Sequence, residues 1–309
     1  MAEDAPKSVP KAKLTFLRKM KIAAGLGAAA LLVFHATPHL FPHLTRKMFE
    51  LKPKQEVPEE HKSRVREACY KMGVKDPQRV DVFFSSGFGT ISAGCCDLPN
   101  KAVIGLPRSF LLDDVETLRN TGVKFQDTAI KWDSKCGRAL EKALVMKKEY
   151  ISFTAAHELA HITNYDFVYR CLLPTTWFYS SCRLFMWIVP RAQGAPTTGL
   201  KILLTVMLSG ISYFGYVAAN KYMKHELEFR ADQVAAKCGV EYCDGGISYL
   251  KSHLRVNRVI RHMTGAEGFQ RYNKKGDDLH DDSHPMITER IRRLNNIKEQ
   301  YTLNNKIVA

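Results

Sequence analysis

The chain has 309 residues, of which 45% are hydrophobic and 25% are charged. This balance excludes a disordered chain and allows one large domain or two small ones. The formal net charge of +15 would suit nucleic acid or an anionic membrane surface. The sequence contains no zinc-finger spacing, RNA-binding aromatic strand or Gly-rich phosphate loop, so we expect membrane lipid as a partner and no nucleic acid.

The amino-terminal region has the pattern of a membrane anchor. Residues 1–21 are hydrophilic and basic, and residues 22–42 are largely apolar and begin rich in Ala and Gly. A membrane-spanning helix needs about 20 such residues. A cleaved secretory signal is the alternative, but the basic tail is long and apolar character resumes after Pro38. We therefore predict an uncleaved anchor at 22–42.

The region that follows predicts a charged helix and then a small sheet. Residues 46–75 are charged and helix-forming, and three short β-type runs at 80–84, 90–94 and 102–105 are separated by Gly, Pro and Asn. Apolar spacing predicts a further helix over 138–165. The eight cysteines show no disulfide-framework or zinc-ribbon spacing, so we expect reduced thiols and no cysteine metal site.

Two apolar stretches, at 167–190 and 198–220, predict a transmembrane hairpin with a linker at 190–196. The second stretch has no charged residue over its central 18 positions, and Lys201 and Lys221 flank them. The first stretch is weaker because two arginines and a proline interrupt it. A hairpin crosses the membrane an even number of times, so the chain before it and the chain after it lie on the same side.

A His-Glu-x-x-His motif lies within the helix predicted over 138–165. His157 and His161 are four residues apart, so on a helix their directions differ by about 40° and both can reach one ion. Two neutral imidazoles suit Zn²⁺, and the neighbouring Glu158 can accept a proton from a water whose pKa the metal lowers to about 7. A catalytic zinc site keeps three protein ligands, so one more must come from elsewhere.

A predicted helix at 225–239 offers that third ligand, because it carries Glu228 and Asp232 on one face. We predict that Glu228 binds the metal and that Asp232 accepts the free N–H of a ligand imidazole, which fixes its tautomer. In the last predicted helix, at 286–301, Arg290 either pairs with a core carboxylate such as Asp232 or is a surface arginine.

Three blocks of the sequence, in this order, resemble a family of membrane-bound zinc metallopeptidases: residues 156–162 (AHELAHI), 225–239 (HELEFRADQVAAKCG) and 283–291 (SHPMITERI). That family includes the CAAX prenyl protease, the bacterial heat-shock protease HtpX and a stress protease of the mitochondrial inner membrane. The resemblance implies that His157, His161 and Glu228 bind Zn²⁺. It further implies that Glu158 is the general base and acid and that His284 lies near the substrate oxyanion.

The same resemblance implies a place for an extended polypeptide substrate. In that family a strand lies along the active-site cleft and pairs with the substrate, which uses the open edge of a sheet. Residues 91–94 and 102–107 would form the corresponding hairpin here. The alternative is a hairpin with a purely structural role.

A second resemblance covers most of the chain. Residues 91–111 (ISAGCCDLPNKAVIGLPRSFL), 130–134 (IKWDS) and 238–242 (CGVEY) resemble the transmembrane protein 177 family. This resemblance implies an inner mitochondrial membrane protein that supports maturation of cytochrome c oxidase subunit 2 together with an assembly chaperone. That family is described as non-enzymatic, whereas the intact motif here favours a peptidase. An endoplasmic reticulum membrane is the alternative location.

We therefore predict an α+β, mainly helical fold: a gluzincin-like metallopeptidase domain split in sequence by a transmembrane helical hairpin, with an N-terminal membrane anchor. The predicted segments are a basic tail (1–21), the anchor (22–42), the first half of the domain (43–165), the hairpin (166–220) and the second half of the domain (221–309). Two functions remain open, a zinc endopeptidase of membrane-protein quality control and an oxidase assembly factor that uses the same fold as a scaffold.

Overall fold

A computed structural model describes residues 11–87, 89–112, 114–120, 124–125, 128–191 and 198–308. These residues form helices, a three-stranded sheet and a two-stranded sheet. Part of the predicted basic tail and most of the predicted linker lie outside these residues. The chain forms two compact units. The first comprises Met1–Thr37 and Phe167–Tyr222, and the second comprises Pro38–Asp166 and Met223–Ala309. Each unit is thus built from segments that are distant in sequence.

Three long helices provide the first unit: α1 (Lys11–Leu40), α7 (Asp166–Arg191) and the first part of α8 (Thr198–Ala236). Two segments, Leu17–Leu40 and Thr198–Ala236, are long and apolar enough to cross a membrane by length and composition. Most of their apolar side chains are exposed, as lipid-facing side chains would be. Residues 22–40 of the predicted anchor lie in α1, and the last two lie beyond its end. The predicted hairpin corresponds to α7 and the start of α8, of which α8 is a candidate span, so the membrane crossing of the hairpin stays a prediction.

Small and polar side chains hold the helices of the first unit together. The indole N–H of Trp177 on α7 donates to the carbonyl of Ser212 on α8 at 3.1 Å, and the Ser181 and Ser212 hydroxyls lie 2.7 Å apart. Gly27 of α1 faces the ring of Phe178, which a Cβ at that position would approach to 2.8 Å. Close approach at small residues and hydrogen bonds between helices are typical of helix packing in membranes.

The second unit contains the remaining elements. Its other helices are α2 (Pro42–Phe49), α3 (Glu59–Lys71), α4 (Val115–Asn120), α5 (Lys135–Leu144), α6 (Lys148–Thr163), α9 (Val240–Met263), α10 (Ala266–Arg271) and α11 (Ile287–Val308). Its strands are β1 (Val80–Ser85), β2 (Ile91–Ala93), β3 (Ala102–Pro107), β4 (Lys124–Phe125) and β5 (Thr128–Ala129). The end of α8, from Met223 onward, also belongs to this unit.

Strand β3 is the centre of a three-stranded sheet with the order β1-β3-β2. It pairs in parallel with β1 and antiparallel with β2, where Ile91 lies opposite Gly105 and Ala93 opposite Val103. All six residues of β3 are buried. The predicted hairpin of 91–94 and 102–107 is therefore present, and Gly94 leaves it with φ of +94°, a conformation that suits glycine. Strand β2 lies at the sheet edge, beside α6.

Helix α6, which carries the His-Glu-x-x-His motif, is buried along most of its length. It packs against α3, α9 and β2, and a helix enclosed on all sides is apolar around most of its circumference. The helix predicted over 138–165 is two helices, because Val145 is extended and the N–H of Met146 donates to the carbonyl of Leu112 at 2.8 Å. The helix predicted over 46–75 is likewise divided into α2 and α3 by a segment with two prolines.

Candidate metal centre

One turn of α6 separates the two motif histidines and directs their imidazoles at a common point. The Nε2 atoms of His157 and His161 lie 3.3 Å apart, and the two rings are almost perpendicular. The side chains are 8% and 10% exposed. Helical spacing explains the shared direction, since residues four apart lie on the same face.

Glu228 on α8 completes the group. One of its oxygens lies 3.3 Å from His157 Nε2 and the other lies 3.3 Å from His161 Nε2. The carboxylate is buried, with its side chain 7% exposed. Helix α8 continues without interruption from its apolar stretch to Ala236, so the sequence boundary predicted at 220 is not a break in the helix.

The separations among these three groups match a zinc site. Atoms bound at about 2.0 to 2.1 Å to a tetrahedral Zn²⁺ lie about 3.3 Å from one another. The two Nε2 atoms have this spacing, each lies at the same distance from a different oxygen of Glu228, and a ligand atom from each of the three residues lies within 4.8 Å of the others. Two imidazoles and one carboxylate leave a fourth tetrahedral position open, as catalytic zinc sites do. The donor set therefore fits Zn²⁺.

His157 is oriented by a carboxylate that is itself held by an arginine. Its Nδ1 lies 3.0 Å from Asp232 Oδ1. Both oxygens of Asp232 accept bonds from Arg290, from Nε and from one Nη at 2.7 Å each. Another Nη of Arg290 is 3.5 Å from Glu228. If the Nδ1–H of His157 donates to Asp232, its Nε2 lone pair faces the metal position.

The two carboxylates also set the protonation of His157 when no metal is bound. Burial disfavours its charged form, but the hydrogen bonds to Asp232 and Glu228 prevail and raise the pKa of His157 to about 10. Burial likewise opposes the charge on Arg290, yet Asp232 and Glu228 raise its pKa above the ordinary arginine value. A metal ion at this centre would therefore have to displace a proton from His157.

His161 has an orienting carboxylate that sequence reasoning missed. Its Nδ1 lies 2.7 Å from Asp166 Oδ2, and the other oxygen of Asp166 accepts a bond from Arg230. Asp166 follows His161 by five residues, beyond the end of α6. Tyr165 makes the turn between the helices with φ of +56°, a value uncommon for a bulky residue. The only sequence signal was an aspartate shortly after the motif.

Glu158, the predicted general base, follows His157 on α6 and is buried, with 6% of its surface exposed. The hydroxyl of Thr90 donates to its Oε1 at 2.5 Å. Thr90 immediately precedes β2, so the edge of the sheet lies beside the candidate base. Sequence reasoning did not assign Thr90 a role.

His284, in the loop before α11, makes its side-chain contact with a neighbouring aspartate. Its Nδ1 is 2.9 Å from Asp281, and half of its side chain is exposed. Among the described residues, His284 pairs with Asp281 and not with any of the three candidate ligands. Its placement near a substrate oxyanion therefore stays a prediction.

The chain has a buried His-His-Glu group that could hold a metal ion, and two helices long and apolar enough to span a bilayer. These features describe a helical membrane protein with a candidate metal centre. Comparison with known families identifies the family. The family model described as Transmembrane protein 177 matches residues 109–308, more than half of the chain. The chain belongs to this family.

Relatives of the same name occur in several vertebrates. The Transmembrane protein 177 of Danio rerio is 24% identical over 247 residues, which cover 77% of this chain and 79% of that protein. The Homo sapiens protein is 24% identical over 251 residues, covering 77% and 78%. The Xenopus laevis protein is 22% identical over 204 residues, covering 63% and 64%. No solved structure matches the chain.

Proposed function

We propose that this protein is a membrane-bound zinc metalloendopeptidase with a gluzincin-like domain formed by the second unit. The observation that carries the proposal is the convergence of three side chains: the Nε2 atoms of His157 and His161 lie 3.3 Å apart, and each lies 3.3 Å from one oxygen of Glu228. A bound Zn²⁺ would polarise the scissile carbonyl and acidify a water molecule at this position. The chain's own side chains supply the remaining chemistry.

Glu158 is the proposed proton carrier. Its Oε1 accepts a hydrogen bond from Thr90, so its other oxygen is the one available to take the proton of the attacking water. The same carboxyl then donates that proton to the departing amine. Proton transfer by a positioned side chain accelerates such reactions by about 10²- to 10⁴-fold. Thr90 holds the carboxylate in one orientation.

The edge of the sheet supports an extended polypeptide as the substrate. Strand β2 has β3 on one side, and within the described residues no strand pairs with its other side. An extended chain can add to such an edge through backbone hydrogen bonds. Thr90, next to β2, contacts Glu158, so a peptide on this edge would lie near the proposed base. His284 is retained as the proposed residue near the oxyanion.

Metal removal tests this activity. The full-length chain, purified in detergent, should hydrolyse an unfolded polypeptide such as reduced casein. Treatment with the zinc chelator 1,10-phenanthroline should abolish hydrolysis, and added Zn²⁺ should restore it, because the ligands alone cannot activate water. Fragment release would be followed by mass spectrometry. Hydrolysis that persists in metal-free protein, or its absence in zinc-loaded protein, contradicts the proposal.

Family membership favours a second function, in the assembly of cytochrome c oxidase. The resemblance described above implies a mitochondrial inner membrane protein that supports oxidase subunit 2 and its assembly chaperone. In this proposal the domain is a binding scaffold and the metal stabilises its fold. If the peptidase is unrelated to oxidase assembly, its proposed role is membrane-protein quality control, in the mitochondrial inner membrane or the endoplasmic reticulum.

Both proposals share one membrane topology. The ligands come from α6 and from the end of α8, so the chain between them must cross a membrane an even number of times. If the apolar stretch of α8 crosses, α7 must cross as well. We therefore expect a tag inserted near Lys54 and a tag at the carboxyl terminus to have the same protease accessibility in intact mitochondria or mitoplasts.

A third tag between α7 and α8 is the matched control, and it should have the opposite accessibility. Opposite accessibility of the first two tags contradicts the metal centre together with the hairpin. Equal accessibility of all three tags leaves the centre possible but shows that the hairpin does not cross.

A further inference from the structure

Asp166 is among the most deeply buried carboxylates of the second unit, with 2% of its surface exposed. Burying an ionised carboxylate is costly unless it is paired and hydrogen-bonded. Asp166 has both kinds of partner: His161 Nδ1 lies 2.7 Å from one oxygen, and Arg230 binds the other. The Asp166 carboxylate is therefore paired on both of its oxygens, as a buried charge requires.

The arrangement repeats the one at the other ligand. His157 contacts Asp232, which Arg290 holds, and His161 contacts Asp166, which Arg230 holds. In each case the Nδ1 of the imidazole faces a carboxylate and its Nε2 faces the common centre. An N–H donated to the carboxylate leaves the lone pair on Nε2, which is the form that binds a metal.

The chain positions of this second pair differ from those of the first. Asp166 is the first residue of α7, and Arg230 lies two residues after Glu228 on α8. The pair therefore joins the two segments of chain that flank residues 167–222. Arg230 binds the Asp166 oxygen that does not face His161, so it can influence the metal through Asp166.

We propose that Asp166 and Arg230 are positioning residues of the metal centre, with Asp166 fixing the tautomer and direction of His161 and Arg230 holding Asp166. This inference rests on the proposed zinc site. The junction of α6 with α7, where Asp166 lies, then contributes to metal affinity. Asp166 precedes residues 167–222 and Arg230 follows them, and both act on the metal through His161.

Metal affinity of the full-length protein tests the proposal, and activity is not needed as a readout. Asp166→Asn keeps the shape of the side chain and removes its charge. Loss of a partner to a ligand imidazole commonly weakens metal binding by about 10- to 100-fold, and we expect a loss of this size for Zn²⁺. With Co²⁺ in place of zinc, the visible absorption of the site should also shift, because the direction of His161 changes.

Asp278→Asn is the matched control. Asp278 pairs with Arg271 at 3.0 Å, so the variant removes an aspartate–arginine pair that does not touch the ligands. It should leave the Zn²⁺ affinity and the Co²⁺ spectrum unchanged. Circular dichroism of both variants monitors folding.

Arg230 provides a second series should Asp166→Asn fail to fold. Arg230→Lys keeps a positive charge near Asp166, and Arg230→Met removes it, so Zn²⁺ affinity should fall in the order wild type, Lys, Met. Unchanged affinity and an unchanged Co²⁺ spectrum in folded Asp166→Asn, or in both Arg230 variants, would overturn the inference. A wild-type chain that binds no Zn²⁺ overturns the zinc site itself, which is a different result.

Discussion

Replacement of His161 by alanine is expected to remove zinc from the protein entirely. The wild-type chain should contain about one Zn²⁺ when isolated from zinc-supplied cells, because three candidate ligand atoms lie within 4.8 Å of one another. His161→Ala removes one ligand and leaves Asp166 without its imidazole partner. This loss should exceed the 10- to 100-fold effect typical of groups that only orient a ligand. Elemental analysis of detergent-purified protein, expressed as zinc per chain, measures it.

An exposed histidine provides the control for this measurement. His280 lies in the loop before α11 and is exposed, so His280→Ala should keep about one Zn²⁺ per chain. Because a metal site can also contribute to folding, circular dichroism should be used to check that His161→Ala keeps the helix content of the wild-type protein. Zinc content that is undiminished in His161→Ala, or absent from the native protein, excludes the site.

The candidate ligands could be predicted from sequence because the relations within each helix depend on local geometry. His157 and His161 share a face at a spacing of four residues, and Glu228 and Asp232 do the same on α8. Helix periodicity sets both relations without any tertiary information. The pairing of Arg290 with Asp232 was one of two alternatives, because it depends on the packing of α11, which local periodicity does not determine.

The partners of His161 and Glu158 could not be predicted in this way. Asp166 contacts His161 just after a turn in which Tyr165 has a positive φ, and a bulky residue gives no sequence signal for that conformation. Thr90 reaches Glu158 across 68 positions of the chain. The first contact depends on the conformation of a turn and the second on tertiary packing, and helix periodicity predicts neither.

The fold shows the same limit. The antiparallel pairing of β2 with β3 followed from neighbouring runs, whereas the parallel pairing of β1 with β3 joins strands separated by β2. The break at 145–147 depends on a bond to Leu112, which overrides local helix preference. Conversely, α8 continues past its apolar stretch because no Gly or Pro falls between residues 216 and 238.

Substitution of Glu158 by glutamine is expected to separate peptidase activity from metal binding. Glu158 contacts Thr90 and is not one of the candidate ligands, so the variant should retain about one Zn²⁺ per chain. The amide keeps the size of the side chain but cannot accept the proton, so hydrolysis of an unfolded polypeptide should fall by about 10²- to 10⁴-fold. Zinc analysis and the casein assay on the same preparation measure both quantities.

Glu149→Gln is the matched control, since Glu149 is an exposed glutamate at the start of the same helix. It should leave both quantities unchanged.

Expression of the two variants in cells that lack the protein then decides between the proposed functions. If Glu158→Gln accumulates in the membrane but does not restore oxidase subunit 2 while Glu149→Gln does, the peptidase carries the role. If Glu158→Gln restores the subunit fully, the domain acts as a scaffold and its metal centre is structural.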